Sequence, residues 1–150
     1  GSQAVRIIGI SSGGGHLTEL VTIARFLPTL SAVITETGAA ERNTGSDISF
    51  MPIRDPHRSI FGFLRNLGQA FRYAQRHKPD VVISTGAGMT VPFFLLAKMA
   101  GAVCIYVETG ARISTPSMTG RILYPFSSLF IVQSDGLRSF YPKAVVASIL

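Results

Sequence analysis

The stretch Val5–Leu20, VRIIGISSGGGHLTEL, decides the fold. Val5 to Ile10 is a β-branched apolar run and reads as a buried strand. Gly13, Gly14 and Gly15 follow, and a helical pattern then opens in which Leu17, Leu20, Val21 and Ala24 recur at helical spacing until Pro28. A strand that runs through glycines into a helix is a phosphate-loop geometry. Glycine lets backbone amides approach a ligand closely, and the helix N-terminus favours an anion. The loop is not a Walker A loop, because no Gly-Lys-Ser/Thr follows, and Thr18 stands where a dinucleotide fingerprint needs its third glycine or alanine. Glu36 occupies a place suited to a ribose-binding acid, so a nucleotide-binding oxidoreductase stays open, as does a tight turn that binds nothing. His16 opens the helix. The positive helix end favours its neutral, proton-accepting form, which suits a general base; the alternative is a histidine that only hydrogen-bonds the loop backbone.

Outward from this stretch, apolar runs alternate with helical patterns. Strands are predicted at Ala32–Thr35, Ile48–Ile53, Val81–Ser84, Val103–Val107 and Leu129–Val132, with the third at a sheet edge because Pro52 interrupts it. Helices are predicted at Ser59–His77, Val91–Ala100 and Arg121–Phe126. Strands alternating with helices argue for a Rossmann-like, doubly wound parallel sheet of the α/β class, in one domain over residues 3–150. Gly1 and Ser2 read as an expression scar. In such a sheet the chemistry sits at the carboxyl ends of the strands.

Two further loops lie there. STGAGMTVP, Ser84–Pro92, places glycines and hydroxyls between a strand and a helix, and the amides near Thr85, Gly86 and Gly88 suit a second anionic or sugar group, or merely a compact crossing. YVETGARISTPSMTGRILY, Tyr106–Tyr124, puts Glu108 at the end of an apolar strand, where a carboxylate is costly without a task or a partner. Glu108 is the second candidate base; the alternative is a carboxylate that pairs with Arg112. Arg112, Ser117 and Thr119 in the same loop suit sugars and phosphates.

Composition narrows the classes. The 150 residues are 47% hydrophobic and 15% charged, which is enough for a packed core. The net charge of +6 implies anionic partners. No nucleic-acid module is recognisable, so phosphorylated substrates or an anionic membrane surface remain. Cys104 is the only cysteine, lies in an apolar run and reads as an inert core thiol. No Asp-x-Asp or His-x-x-x-His pair suggests a metal, and no cofactor is expected. No apolar stretch is long enough to span a bilayer, because Lys98 and Gly101 cut short the run at Val91–Ala97.

Taken together, SSGGGHLTEL, VVISTGAGMTVPFFLLAKMAG and IYVETGARISTPSMTGRILYPFSSLFIVQS resemble the PssD-type polysaccharide glycosyltransferase subunits. They are similar, too, to the acceptor subunit of the eukaryotic dolichol-linked N-acetylglucosaminyltransferase (Alg fourteen). Gly14, Gly15 and His16 carry a weaker likeness to the amino-terminal half of MurG-type enzymes. The resemblance covers nearly the whole chain. It implies one half of a GT-B glycosyltransferase, working with a PssE-type donor-binding subunit on a polyprenyl-diphosphate-linked saccharide at the cytoplasmic face of the inner membrane. In the PssD branch the sugar is typically glucuronate, transferred from UDP-glucuronate with inversion in exopolysaccharide biosynthesis. By position, Ser12, Gly13, Gly14 and Gly15 would face the acceptor diphosphate and His16 the reacting hydroxyl. The family often has an aromatic residue after the glutamine that ends the sixth strand, whereas Ser134 and Asp135 follow Gln133 here.

The helix at Ser59–His77 bears on the membrane question. Ile60, Phe63, Leu64, Leu67, Phe71 and Ala74 form a stripe wide enough to pack on the sheet. Phe61 falls off that stripe, and Arg58, Arg65 and Arg72 are among the basic residues around it. Cations beside a spare aromatic suit anionic lipid, at about 1 kcal/mol per charge near the bilayer; the alternative is a core helix with a solvated basic face. A non-catalytic scaffold that tethers the true enzyme to membrane and acceptor is the rival to a transferase.

Overall fold

A computed structural model describes residues 6–11, 15–24, 30–36, 49–53, 60–86 and 90–147. Among them the strands form one seven-stranded sheet: β1 (Ile7–Ser11), β2 (Leu30–Glu36), β3 (Ser49–Ile53), β4 (Val81–Gly86), β5 (Val103–Val107), β6 (Leu129–Val132) and β7 (Val145–Val146). The order is β3-β2-β1-β4-β5-β6-β7, and each neighbouring pair is parallel. The helices are α1 (Gly15–Ala24), α2 (Ile60–His77), α3 (Thr90–Met99) and α4 (Met118–Leu123), the last continued by a 3-10 turn over Tyr124–Phe126. This is the expected Rossmann-like doubly wound sheet, with the Pro52 strand at the edge.

The core is divided by the sheet, as a doubly covered sheet requires. Successive strand side chains point to opposite faces. Ile7, Ile83 and Val107 pack with Leu17, Leu20 and Ala24 of α1 on one face. Ile8, Ile10, Val82, Cys104 and Tyr106 pack with Phe93 and Phe94 of α3 and Leu123 of α4 on the other. Leu20 is fully enclosed, worth about 1.5–3 kcal/mol. It settles over Gly9, where a Cβ would come within 2.9 Å of its Cδ2, so the glycine lets α1 lie close to β1. Cys104 is buried, and burial pushes its thiol up to about 11, in keeping with an inert core residue.

Three features differ from expectation. β4 continues through Thr85 and Gly86, because Gly86 supplies the positive φ of 101° at which the chain leaves the sheet. The fourth helix begins at Met118 rather than Arg121, since the Ser117 hydroxyl accepts from the Gly120 amide and caps it. And β7 extends the sheet by one strand that is too short and too exposed to show as an apolar run.

Candidate functional site

The strand order reverses between β1 and β4, so these two diverge into their helices on opposite sides, leaving a crevice outside their carboxyl ends. Ser11 and Gly86 are paired there, which brings the starts of the two glycine-containing loops side by side. Gly15 and His16 open α1 at this edge. Ser12, Gly13, Gly14 and Gly88 lie outside the described residues, as does Arg58. Thr85 is buried, and so is Thr119 on α4. The Ser11 hydroxyl is enclosed without a hydrogen-bond partner among the described residues.

Glu108 ends β5 at the same edge and is completely enclosed. Its carboxylate accepts three hydrogen bonds. Oε1 takes one from the Ser117 hydroxyl at 2.7 Å, and Oε2 takes others from the Ser117 amide and the Tyr141 hydroxyl, each at 3.0 Å. The partner considered from sequence, Arg112, is not among them. The chain turns back over 109–112, where the Arg112 amide bonds the Thr109 carbonyl at 3.0 Å, and Arg112 is left exposed. Gly120 belongs to this arrangement because a Cβ there would collide with Glu108 Oε2 and lie 2.8 Å from the Tyr141 hydroxyl. The enclosed carboxylate thus secures the loop over 109–117 and the start of α4, while Arg112 faces solvent.

Two phenols near Glu108 hold their protons firmly, and that of Tyr141 donates to it. Burial, then the Glu108 carboxylate, pushes Tyr106 and Tyr141 well above the usual tyrosine range. Raised folded-state values mean that their contribution to stability is fully present below pH about 10, the ordinary tyrosine value, and is lost as pH rises above it. In an alkaline titration, two of the four tyrosines should therefore gain phenolate absorbance only together with loss of helical circular dichroism. Full phenolate absorbance from a chain still folded would contradict this.

A second carboxylate, overlooked from sequence, binds the elements across the edge. Glu19 of α1 accepts through Oε2 from the Gly110 amide at 2.9 Å and from Gln133 Nε2 at 2.8 Å. The same Gln133 amine reaches the Glu108 carbonyl at 3.1 Å. Glu19 Oε1 is buried and has no hydrogen-bond partner among the described residues. The available signal was the spacing of His16 and Glu19, three residues apart and so one turn apart on one helix. For Tyr141, 33 residues beyond Glu108, there was no local signal.

On α2, Arg65 and Arg72 are exposed, as are Arg76 and Lys78. Two members of the expected packing stripe, Leu64 and Phe71, are more than half exposed, so the stripe is only partly used against the protein. Of Phe61 the structure describes only its place in the helix. A cavity of about 620 Å³ lined by Phe71, Lys78, Met99 and Gly101 lies at the amino ends of β4 and β5, away from the crevice.

A family model described as "Oligosaccharide biosynthesis protein Alg14 like" matches residues 53–150. The human UDP-N-acetylglucosamine transferase subunit ALG14 is 28% identical over 176 residues, covering 95% of this chain and 82% of that protein. A Shewanella violacea UDP-N-acetylglucosamine–N-acetylmuramyl-(pentapeptide) pyrophosphoryl-undecaprenol N-acetylglucosamine transferase is 27% identical, covering 98% of this chain and 44% of its own length. Among solved structures, Acinetobacter baumannii MurG superposes with a TM-score of 0.76 at 19% identity, over 95% of this chain and 45% of that one. A UDP-N-acetylglucosamine 2-epimerase from Rickettsia bellii gives 0.74 at 15% identity, over 93% and 42%. The chain thus spans less than half the length of either solved structure, and at these identities the likeness establishes the fold alone.

Proposed function

Because the chain belongs to the Alg14-like family of oligosaccharide biosynthesis proteins, we propose that it is the acceptor-binding subunit of a split GT-B glycosyltransferase. In this reading it presents a polyprenyl-diphosphate-linked saccharide to a donor-binding partner of the PssE type, and the complex transfers a sugar from a UDP-sugar with inversion. One observation carries the reading: residues 53–150 match the Alg14-like family, and the human relative, matched over 82% of its length, is named as a transferase subunit. The crevice beyond β1 and β4 would take the acceptor. Amides of the glycine loop and of α1 would face its diphosphate. His16 would remove the proton from the reacting hydroxyl as UDP leaves from the partner's side. Glu108, enclosed and fully engaged, would position the 109–117 loop, leaving Arg112 free to meet phosphate. The names of the relatives favour N-acetylglucosamine as the transferred sugar, whereas the PssD resemblance favours glucuronate.

The test is reconstitution. The purified chain, a candidate donor-binding partner of the PssE type and both together are assayed with UDP-N-acetylglucosamine and UDP-glucuronate, against synthetic polyprenyl-diphosphate monosaccharides. Transfer is expected only from the pair. Robust turnover by this chain alone would sink the split-enzyme reading, and a pair that binds acceptor but never transfers would favour a scaffold.

A polyprenyl substrate has to be met at the bilayer. Among the described residues no helix is long and apolar enough to cross one. We place the contact on α2, whose exposed Leu64 and Phe71 lie beside Arg65 and Arg72, with Arg58 and Phe61 on the same segment. In this reading the protein is peripheral, and the family resemblance favours the cytoplasmic face of the inner membrane. Vesicles rich in anionic lipid should retain it at low salt and release it at high salt. Changing Arg65 and Arg72 together to Glu should lower retention at least tenfold with an unchanged melting temperature, since about 1 kcal/mol per charge is removed and repulsion is added. Equal retention by the double variant would remove α2 from the membrane face.

A further inference from the structure

We propose that Glu19 is a positioning residue that latches the loop over 109–117 to α1. It would thereby fix how far the His16 end of that helix stands from the opposite wall of the crevice. For its catalytic consequence this rests on the acceptor-side reading above; the latch itself rests on geometry alone.

A single carboxylate oxygen, Glu19 Oε2, holds two donors from two other elements: the Gly110 amide at 2.9 Å, just after β5, and Gln133 Nε2 at 2.8 Å, just after β6. These residues are 91 and 114 positions away in the chain. Gln133 also holds the Glu108 carbonyl, so the latch leads to the residue whose side chain organises the rest of the loop. The fit at Gly110 is close, because a Cβ there would lie 3.1 Å from Gln133 Oε1. Two donors from different elements converging on one oxygen at these distances fix direction as well as distance. Glu19 lies one turn from His16, so a shift in the helix at Glu19 is passed rigidly to its first turn.

Alanine and glutamine separate geometry from charge. A glutamine carbonyl oxygen can accept both donors, while its amine takes the place of the unpartnered Oε1. In the reconstituted complex, Glu19→Ala should lower kcat about 10- to 100-fold with the acceptor KM within about threefold. That pattern marks lost alignment rather than lost binding. Glu19→Gln should recover kcat to within about threefold of wild type. Gln133→Ala, which leaves the Gly110 bond in place, should fall between the two. Hydrogen exchange needs no activity: the Gly110 amide should exchange at least tenfold faster in Glu19→Ala, and near the wild-type rate in Glu19→Gln. Wild-type exchange at Gly110 in Glu19→Ala overturns the latch, even if the wild-type complex transfers nothing and the functional reading fails by itself. With an active wild type, an unchanged kcat in Glu19→Ala overturns the positioning role. So does a Glu19→Gln as impaired as the alanine, because the charge would then be what matters.

Discussion

Replacing Glu108 by alanine should cost the folded state on the order of 3 to 5 kcal/mol, since three buried donors lose their acceptor and each unsatisfied group costs about 1–3 kcal/mol. The Ser117 amide, the Ser117 hydroxyl and the Tyr141 hydroxyl all lose their acceptor at once, in a place where water cannot replace it. Against a typical domain stability of about 5–15 kcal/mol, that is a large share. Chemical denaturation should show it as a lower midpoint with an unchanged slope. Glu108→Gln keeps the shape but sets an amine against hydroxyl and amide donors, and Tyr141→Phe removes one bond and leaves the carboxylate short of it. Each should cost less, about 1–3 kcal/mol. An alanine variant as stable as wild type would mean that the enclosed carboxylate does not organise this loop.

His16→Ala should lower turnover of the reconstituted complex by about two to four orders of magnitude, the usual contribution of a positioned general base, with the partner still bound. His16 stands in the first turn of α1, at the carboxyl edge of the sheet and beside the strand-order switch. The comparison is with Glu108→Gln, which tests the second candidate base. Because Glu108 is enclosed and bonded on both oxygens, loss of rate in Glu108→Gln should follow loss of stability, and should shrink when the assay is cooled well below the melting temperature. If His16→Ala stays within about threefold of wild type in kcat/KM while Glu108→Gln remains slow in a fully folded sample, the base is Glu108. If neither loses rate, the base belongs to the partner, and this chain contributes binding and orientation.

The sheet was legible because its central strands are apolar on both faces. Ile7, Ile8 and Ile10, Val82 and Ile83, and Cys104 to Val107 leave no alternation that a half-exposed strand would show. Pro52 marked the edge strand correctly. β7 escaped because Val145 and Val146 are exposed and only two residues long. The candidate site was legible as far as one strand end and the loop beyond it reach. Glu108 declared itself as a carboxylate where apolar residues should stand. Its partners did not, because Ser117 lies in a loop with several hydroxyls and Tyr141 is brought in by the chain's path after β6. Separation in sequence favours Arg112 as the partner, but a tight turn at 109–112 leaves that residue exposed. Glu19 was hidden among helix residues whose periodicity explains the core and is silent about the opposite edge of the same helix.

The bond from Tyr141 to Glu108 has a bearing on biosynthesis. A ribosome delivers the carboxylate 33 residues before the phenol that completes its surroundings, and Ser117 emerges between them. Until residue 141 is available, the emerging chain holds an acidic group that has a place in the interior but not all of its companions there. The loop around it cannot adopt its final form until then. Nascent chains arrested so that residues 109–117 have cleared the ribosome but Tyr141 has not should therefore be cleaved readily by a protease within 109–117, and chains arrested after Tyr141 has cleared it should resist. The loop over 109–117 would then be completed only by a residue made well after it, at position 141.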